Sequence, residues 1–464
     1  MRTGTPPDIL LAHAYFLGED PTEQRVMRPY VPLGILSLAA FLERGGYAVE
    51  VFDSTFETPE AFRSMCDRTH PPIVGISVNM MTRGNAVRMI TTAKQSGARV
   101  VVGGPEPALY AEEFLAAGAD AVVIGEGEQT LLALVKAFAT GRPGLEAIDG
   151  IAFTGKTGVQ RTRPRAHIAD ISTLPFPSRE KVNLQRYIDV WKTHHGYSSL
   201  SVSTMRGCPY TCAWCSHAVY GETYRRRPPA LVARELEMLL RTYTPDLIWF
   251  ADDVFTISKK WILQLQQEIH SLGLKLAYEC ITRADRLDGE AVEVLRSTGC
   301  KRLWIGTESG SQRILDRMSR QVSVEEVAMA TRLARQAGIE VGYFLMLGYD
   351  GETREDVEHT VRHVRNTRPD IVLTTVAYPI KGTRYYEEMQ GRMKIPSLPF
   401  DQWNDRLIEV SGRLSRRFYW FANRRLINEA IVARNPIGSG GRLSRFLPAY
   451  AKARVAQLFM FLLG

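Results

Sequence analysis

No uninterrupted apolar run in this chain approaches the ~18 residues that a membrane-crossing helix needs, and the first long one, Ile9–Leu17, is broken by His13. Met1–Pro7 is polar, so the pattern of a secretory signal is missing too. Cysteine is scarce, six in 464 residues, and Cys66, Cys280 and Cys300 are scattered. That usage excludes a disulfide framework and fits buried thiols in a reducing compartment, so a cytoplasmic protein is expected. Acid is almost missing from the end of the chain: between Gly412 and Gly464, nine Arg and one Lys meet the single Glu429. This tail carries +9 of a net +8, which leaves the body at −1 and gives no reason to expect nucleic acid as a partner. With 45% apolar and 23% charged residues the chain is globular, and its length calls for two or three domains.

What is present is concentrated in one stretch. Cys208, Cys212 and Cys215 fall within Met205-Arg-Gly-Cys-Pro-Tyr-Thr-Cys-Ala-Trp-Cys-Ser216. Three thiolates on one tight loop suit three irons of a four-iron cluster and leave the fourth iron without a protein ligand. Such an open position is where a small molecule binds and reacts. Zinc is the competing reading, but a structural zinc site wants four ligands, and the nearest fourth candidate is His217.

Cys208-x-x-x-Cys212-x-x-Cys215, with Trp214 before the last cysteine, resembles the signature of the radical S-adenosylmethionine (SAM) enzymes. The resemblance implies a [4Fe–4S] cluster on these three cysteines, with SAM bound at the open iron beside Trp214. One electron would then cleave SAM to a 5′-deoxyadenosyl radical.

The chain around the motif is α/β. In residues 1–140 short Val/Ile/Leu-rich runs (Asp8–Ala14, Ala48–Phe52, Ile73–Asn79, Arg99–Gly103 and Asp120–Ile124) alternate with helical patterns such as Leu33–Arg44 and Asn85–Ser96. This predicts a doubly wound, Rossmann-like parallel sheet, in which ligands bind beyond the carboxyl ends of the strands. Those ends are Ser77-Val-Asn79, Gly103-Gly104-Pro-Glu106 and Gly125-Glu126-Gly127-Glu128. A Pro-Leu-Gly helix, a Gly-Ile-Ser strand, a Gly-Gly-Pro turn and a Gly-Glu-Gly-Glu turn before a radical SAM core resemble the cobalamin-binding subfamily. By that resemblance Ser77, Gly103, Gly104, Glu126 and Gly127 would contact cobalamin. The chain departs from the subfamily at Glu106, where histidine is frequent, and a front domain that has lost cobalamin is the corresponding alternative.

Residues 141–197 read as a connector with a small hairpin, Gly150–Thr154 with Val159–Thr162, and an extended Leu174-Pro-Phe-Pro-Ser178. Alternation resumes in 198–390 with expected strands Leu200–Thr204, Asp246–Ala251, Lys275–Glu279, Arg302–Gly306, Glu340–Leu347 and Ile371–Tyr378. Six strand–helix units predict a partial (β/α)6 barrel of the TIM type, its active residues at the carboxyl ends. There Asp252 or Asp253 is expected to accept from the SAM ammonium while its neighbour caps a turn, Arg283 to grip a carboxylate, and Glu308 with Ser309 to hold ribose or ammonium. Asp350 and the basic run Arg225–Arg227 are expected to be structural, the latter as a solvated helix approach, and Tyr220 and Tyr224 to pack.

Residues 391–464 form a basic helical appendage, with Trp403–Asn435 and Arg442–Leu463 expected as helices, the second interrupted at Pro448. It would cap the body, with contact to a membrane surface or another anionic partner as the alternative. The expected function is hydrogen abstraction from an unactivated carbon of a small biosynthetic substrate, with an electron from a flavodoxin- or ferredoxin-type donor. Cobalamin-dependent C-methylation is the first outcome. A sugar or aminoglycoside diol dehydratase, an oxidative cyclase on a tetrapyrrole-like substrate and a non-catalytic iron–sulfur electron carrier are the alternatives.

Overall fold

The computed structural model describes residues 6–435 and 443–463; the polar start Met1–Thr5, and Arg442 at the expected start of the last helix, lie outside the described residues. The N-terminal sheet has strands β1 (Ile9–His13), β2 (Val49–Phe52), β3 (Ile73–Ser77), β4 (Arg99–Gly103), β5 (Ala121–Val123), β6 (Ile151–Gly155) and β7 (Gly158–Arg161), in the order β2-β1-β3-β4-β5-β6-β7. The first five run parallel, and their near-continuous apolar runs are buried because helices cover both faces. The expected hairpin forms as β6 and β7 and extends the sheet in antiparallel register.

The chain then runs through β8 (Ser199–Val202), the short antiparallel pair β9 (Met205–Arg206) and β10 (Arg225–Arg226), β11 (Leu247–Phe250), β12 (Tyr278–Thr282), β13 (Cys300–Glu308), β14 (Glu340–Leu347) and β15 (Ile371–Val376). Six of these form an all-parallel sheet in the order β15-β14-β13-β12-β11-β8, the partial barrel. Four of its helices begin at a side-chain cap. Ser258 accepts from Trp261 N and Asp288 from Ala291 N, while Ser323 with Glu326 and Thr353 with Asp356 form capping boxes.

Several expectations shift. The third barrel strand starts at Tyr278 rather than Lys275, where the buried positions Tyr278, Glu279 and Cys280 begin, so Arg283 follows it directly. The connector contains an unforeseen helix, Leu184–His195, whose Leu184, Tyr187 and Ile188 join the core shared by the two sheets. The expected helix over Trp403–Asn435 starts only at Arg416, N-capped by Ser415, because Trp403–Leu407 is held against the N-terminal domain. The helix Leu443–Leu463 runs through Pro448, which lies in its second turn with its ring exposed.

Arg225–Arg227 is not a solvated run. Arg225 bonds Glu126, Arg226 bonds Asp252 with its guanidinium 3.4 Å from the centre of the Trp261 ring, and Arg227 bonds Glu235. Each arginine meets a buried acid from another segment, which a local charge pattern cannot reveal. Asp350 is structural as expected, paired with Arg317 and Arg392.

Glu106 anchors the front domain to the segment after the barrel. Its carboxylate accepts from Arg83, whose guanidinium also donates to Trp403 O at 3.0 Å and reaches Asp405 at 3.3 Å. The rings of Tyr110, Phe400 and Trp403 surround that guanidinium at 4.2–4.7 Å. Glu106→Ala, which removes the nearer anion from a buried arginine, is expected to cost about 3 kcal/mol and to lower the calorimetric melting temperature. Glu19→Ala, which breaks an exposed pair with Arg88, should cost less than ~1 kcal/mol.

Candidate active site

The carboxyl ends of the first sheet and the first strands of the barrel face each other across a cavity of 550 Å³. One wall is a shelf of Gly75, Ser77, Gly103, Gly104, Gly125 and Gly127. The shelf is flat because side chains are barred from it. At Gly104 the backbone is left-handed (φ +109°) and a Cβ would stand 2.6 Å from Val78 O; at Gly127 it would stand 2.9 Å from Leu38. The opposite wall is Arg206, Gly207, Cys208, Asp253 and the turn Ser216–Gly221.

The cysteine loop hangs between β9 and β10. Gly207, at φ +78°, lets the strands close, since a Cβ there would lie 2.4 Å from Thr223 O. Farther along, Ala213 N donates to Met318 O at 3.1 Å and Tyr385 N donates to Ala213 O at 2.9 Å, which ties the loop to the far side of the barrel. All six cysteines are free thiols, with Cys208 and Cys212 half-buried and Cys215 exposed. Although part of Cys215 reaches the surface, the crowding that desolvates its sulfur, then the carboxylate of Asp253 and the neighbouring cysteines, push its thiol up to about 12. Burial raises Cys208 as well. Three thiols on one short loop form a donor set whose thiolates a cationic metal centre would stabilise. Among the described residues no group of three His, Cys, Asp or Glu stands together as ligands for a single metal ion. His217 lines the cavity with its Nε2 buried and without a partner.

The strand-end residues divide into those that face the open mouth and those that hold it. Asp253 lines the cavity, whereas Asp252 is 2% exposed and accepts from Thr204 N at 2.7 Å and Met205 N at 3.2 Å. Asp252 therefore pins the start of the cysteine loop. Arg283 is buried under Tyr210 of that loop, its guanidinium 3.7 Å from the ring centre. Its Nε donates to Asp285 and Nη2 to the carbonyls of Arg320 and Gln321, while Nη1 has no partner. Glu308 ends β13 in the left-handed region (φ +57°), a strained backbone for a non-glycine residue. Burial raises its carboxyl pKa, with Arg320 and Arg283 opposing. Ser309 is buried and spent on Thr360 and Ser311. Trp214 packs edge-on to Tyr349 at 6.5 Å, which itself stacks on Tyr385.

Glu126 does not face the shelf freely. Its carboxylate accepts from Arg206 (2.8 Å), Arg225 (2.7 Å) and Ile168 N (2.8 Å), and Glu128 takes the other arm of Arg206. Although burial opposes it, these bonds hold the Glu126 carboxyl below its ordinary pKa. The sequence reading missed Arg206 and Arg225 as determinants of the site, and also Arg320, whose Nη1 lies 3.6 Å from Cys212 Sγ. Arg206 had one signal available, its place two residues before the motif; Arg320 had none.

A flat glycine shelf opposite a three-cysteine loop at the mouth of a partial barrel defines a class: radical enzymes with a cobalamin-type front domain. Residues 202–364 match the family model of the Radical SAM superfamily, and residues 26–135 match that of the B12 binding domain. An uncharacterized methyltransferase of Pyrococcus horikoshii is 30% identical over 79% of this chain and 81% of its own. The anaerobic magnesium-protoporphyrin IX monomethyl ester cyclase of Rubrivivax gelatinosus is 26% identical over 80% of this chain and 68% of its own. Among solved structures, the radical SAM methyltransferase TsrM of Kitasatospora setae, with cobalamin and a [4Fe–4S] cluster bound, superposes with a TM-score of 0.71 at 18% identity, over 97% of this chain and 88% of that one. The chain belongs to the radical S-adenosylmethionine enzymes that carry a B12-binding domain.

One residue at the barrel mouth gives a pH test. Glu352, in the turn after β14, is buried, accepts from Gly348 N and leaves Oε1 without a partner. Burial raises its pKa from 4.5 to about 8. The folded chain binds this proton more tightly than the unfolded one, so its stabilisation is full below 4.5 and lost as pH rises through 8. Glu352→Gln is expected to remove that loss, so that its stability relative to wild type in guanidinium unfolding increases between pH 5 and pH 8.5.

Proposed function

We propose that this protein is a radical SAM methyltransferase that places a methyl group on an unactivated carbon of a small biosynthetic substrate. The observation that carries the reading is the single cavity, with the glycine shelf on one side and Cys208 and Asp253 on the other. The two domain matches imply a [4Fe–4S] cluster with SAM, and cobalamin, and the donor set and the shelf fit them. When bound, these groups supply one-electron cleavage of SAM to an adenosyl radical and a methyl carrier, chemistry that no side chain offers at an unactivated carbon.

The residues of the chain supply position. Cys208, Cys212 and Cys215 would ligate three irons, and Trp214 would pack beside the loop. Asp253 would accept from the SAM ammonium, with Asp252 behind it fixing the loop. The unpartnered Nη1 of Arg283 is the free donor for a carboxylate, and Glu308, held up by burial, would meet the ribose hydroxyls. Ser77, Gly103, Gly104 and Gly127 would form the corrin seat, and Glu126 would act through Arg206 and Arg225 as a positioning residue. With the cofactors and substrate between them, the walls would exclude water from the reacting groups. Free cysteines throughout and an oxygen-labile cluster agree with a reducing cytoplasm and a flavodoxin- or ferredoxin-type donor.

Cyclisation is the second reading, favoured by the Rubrivivax relative. The dehydratase alternative was compatible with Glu106 in place of the frequent histidine; in the structure that carboxylate pairs with Arg83.

Anaerobic reconstitution separates these roles. Cys212→Ala is expected to abolish both the iron–sulfur absorbance and 5′-deoxyadenosine formation; retained cleavage would refute the ligand assignment. Ser77→Phe, which puts a ring into the shelf, is expected to lower bound cobalamin at least ~10-fold while iron and sulfide content stays at the wild-type level. Methylated product, rather than a new ring, from a substrate screen would decide between the two outcomes.

A further inference from the structure

The helix Leu443–Leu463 is apolar on two opposite sides. Phe446, Ala449, Ala453, Ala456 and Met460 recur every three or four residues and are buried against the helix Arg416–Arg434. On the other side Leu447, Val455, Leu458, Phe461 and Leu462 are 53–73% exposed. A surface helix in water is polar on that side. The neighbouring helix carries an exposed stripe of its own, in which Arg417, Trp420, Arg424, Ile427 and Ile431 follow one another at helical spacing. Arg424 lies 4.4 Å from the Trp420 ring centre, and Phe421 stacks on Phe459 at 4.6 Å to join the two helices. Glu429, the single acid between Gly412 and Gly464, is fully buried, bonded to Arg454 with Arg365 and Arg425 beside it. Among the described residues of these two helices, then, no acid is exposed; the acids beside them, Glu358 paired with Arg425 and Glu409 paired with Arg416, belong to other segments.

We infer that these two helices seat the protein on an anionic lipid surface, the apolar ridge in the acyl boundary and the arginines among the headgroups. The combination of a broad apolar face, flanking Arg and Lys and an aromatic at the edge is that of an interfacial helix. Phe446–Leu463 is 18 residues long with a mean hydropathy of 1.2, enough by composition to cross a bilayer. Crossing would strip its buried side from the neighbouring helix, carry Lys452 and Arg454 into hydrocarbon and take from the buried Glu429 its Arg454 partner, so it lies flat. A second copy is disfavoured as the cover because two such faces would set like charges against each other. The inference does not rest on the reaction proposed above.

Sedimentation of the full-length, cluster-reconstituted protein with lipid vesicles tests it. The bound fraction on mixed phosphatidylglycerol and phosphatidylcholine vesicles is expected to exceed that on phosphatidylcholine alone by at least ~10-fold and to fall with added salt. The double substitution Leu458→Glu with Phe461→Glu changes only exposed side chains, and should abolish binding while the melting temperature and iron content stay unchanged. No binding to the anionic vesicles, or equal binding by the double variant, would overturn the inference. So would a concentration-dependent dimer in sedimentation velocity that the double variant abolishes, since a second copy would then cover the face.

Discussion

The site depends on one carboxylate. Glu126 stands at the tip of β5 in the front domain, and it accepts hydrogen bonds from Arg206 and Arg225, the two arginines that flank the cysteine loop in β9 and β10. The two sheets already share a core; this contact ties the cysteine loop itself to the glycine shelf. With it, the two walls of a 550 Å³ cavity are fixed relative to each other. The arrangement is affordable because every buried charge in it is answered. Arg206 is shared with Glu128, Arg225 also donates to Ile168 O, and the carboxylate takes a third bond from Ile168 N. A buried acid with one partner would be costly; one with three well-placed donors is a rigid joint.

The other charged groups follow the same division of labour. At each strand end one group holds the framework and another is left open. Asp252 is consumed by Thr204, Met205 and Arg226, and Asp253 is open to the cavity. Arg283 spends Nη2 on the carbonyls of Arg320 and Gln321 and Nε on Asp285, and keeps Nη1 unpaired. Radical chemistry asks this of a protein, because the reactive species comes from the cofactor and the chain contributes placement and exclusion. The strained backbone at Glu308 fits that view: the residue takes a left-handed conformation where its buried carboxylate lies in the field of Arg320 and Arg283.

Much of this was legible before any coordinates. The alternation of apolar runs with capped helices located ten of the eleven parallel strands to within two residues or so at either end, because parallel strands buried on both faces have a composition of their own. The cysteine spacing located the loop, and the tip glycines located the shelf. What the sequence hid were contacts between distant segments. Arg225–Arg227 looks like a solvated run until Glu126, Asp252 and Glu235 are placed against it. Glu106 looks like a lost ligand until Arg83 is seen beneath it. Lys275 reads as a strand start because its neighbours are apolar, yet the ladder with β13 begins at Tyr278. The connector helix Leu184–His195 was overlooked because the prolines before it drew the whole segment into an extended reading.

The claim at the centre is that an iron with no protein ligand faces the cobalamin shelf across this cavity. Electron paramagnetic resonance of the anaerobically reduced, cobalamin-loaded protein addresses it most directly. The account expects a cluster signal that shifts when SAM is added and that broadens through spin coupling when cobalt is in its paramagnetic Co(II) state. A cluster signal indifferent to both SAM and cobalamin would contradict it.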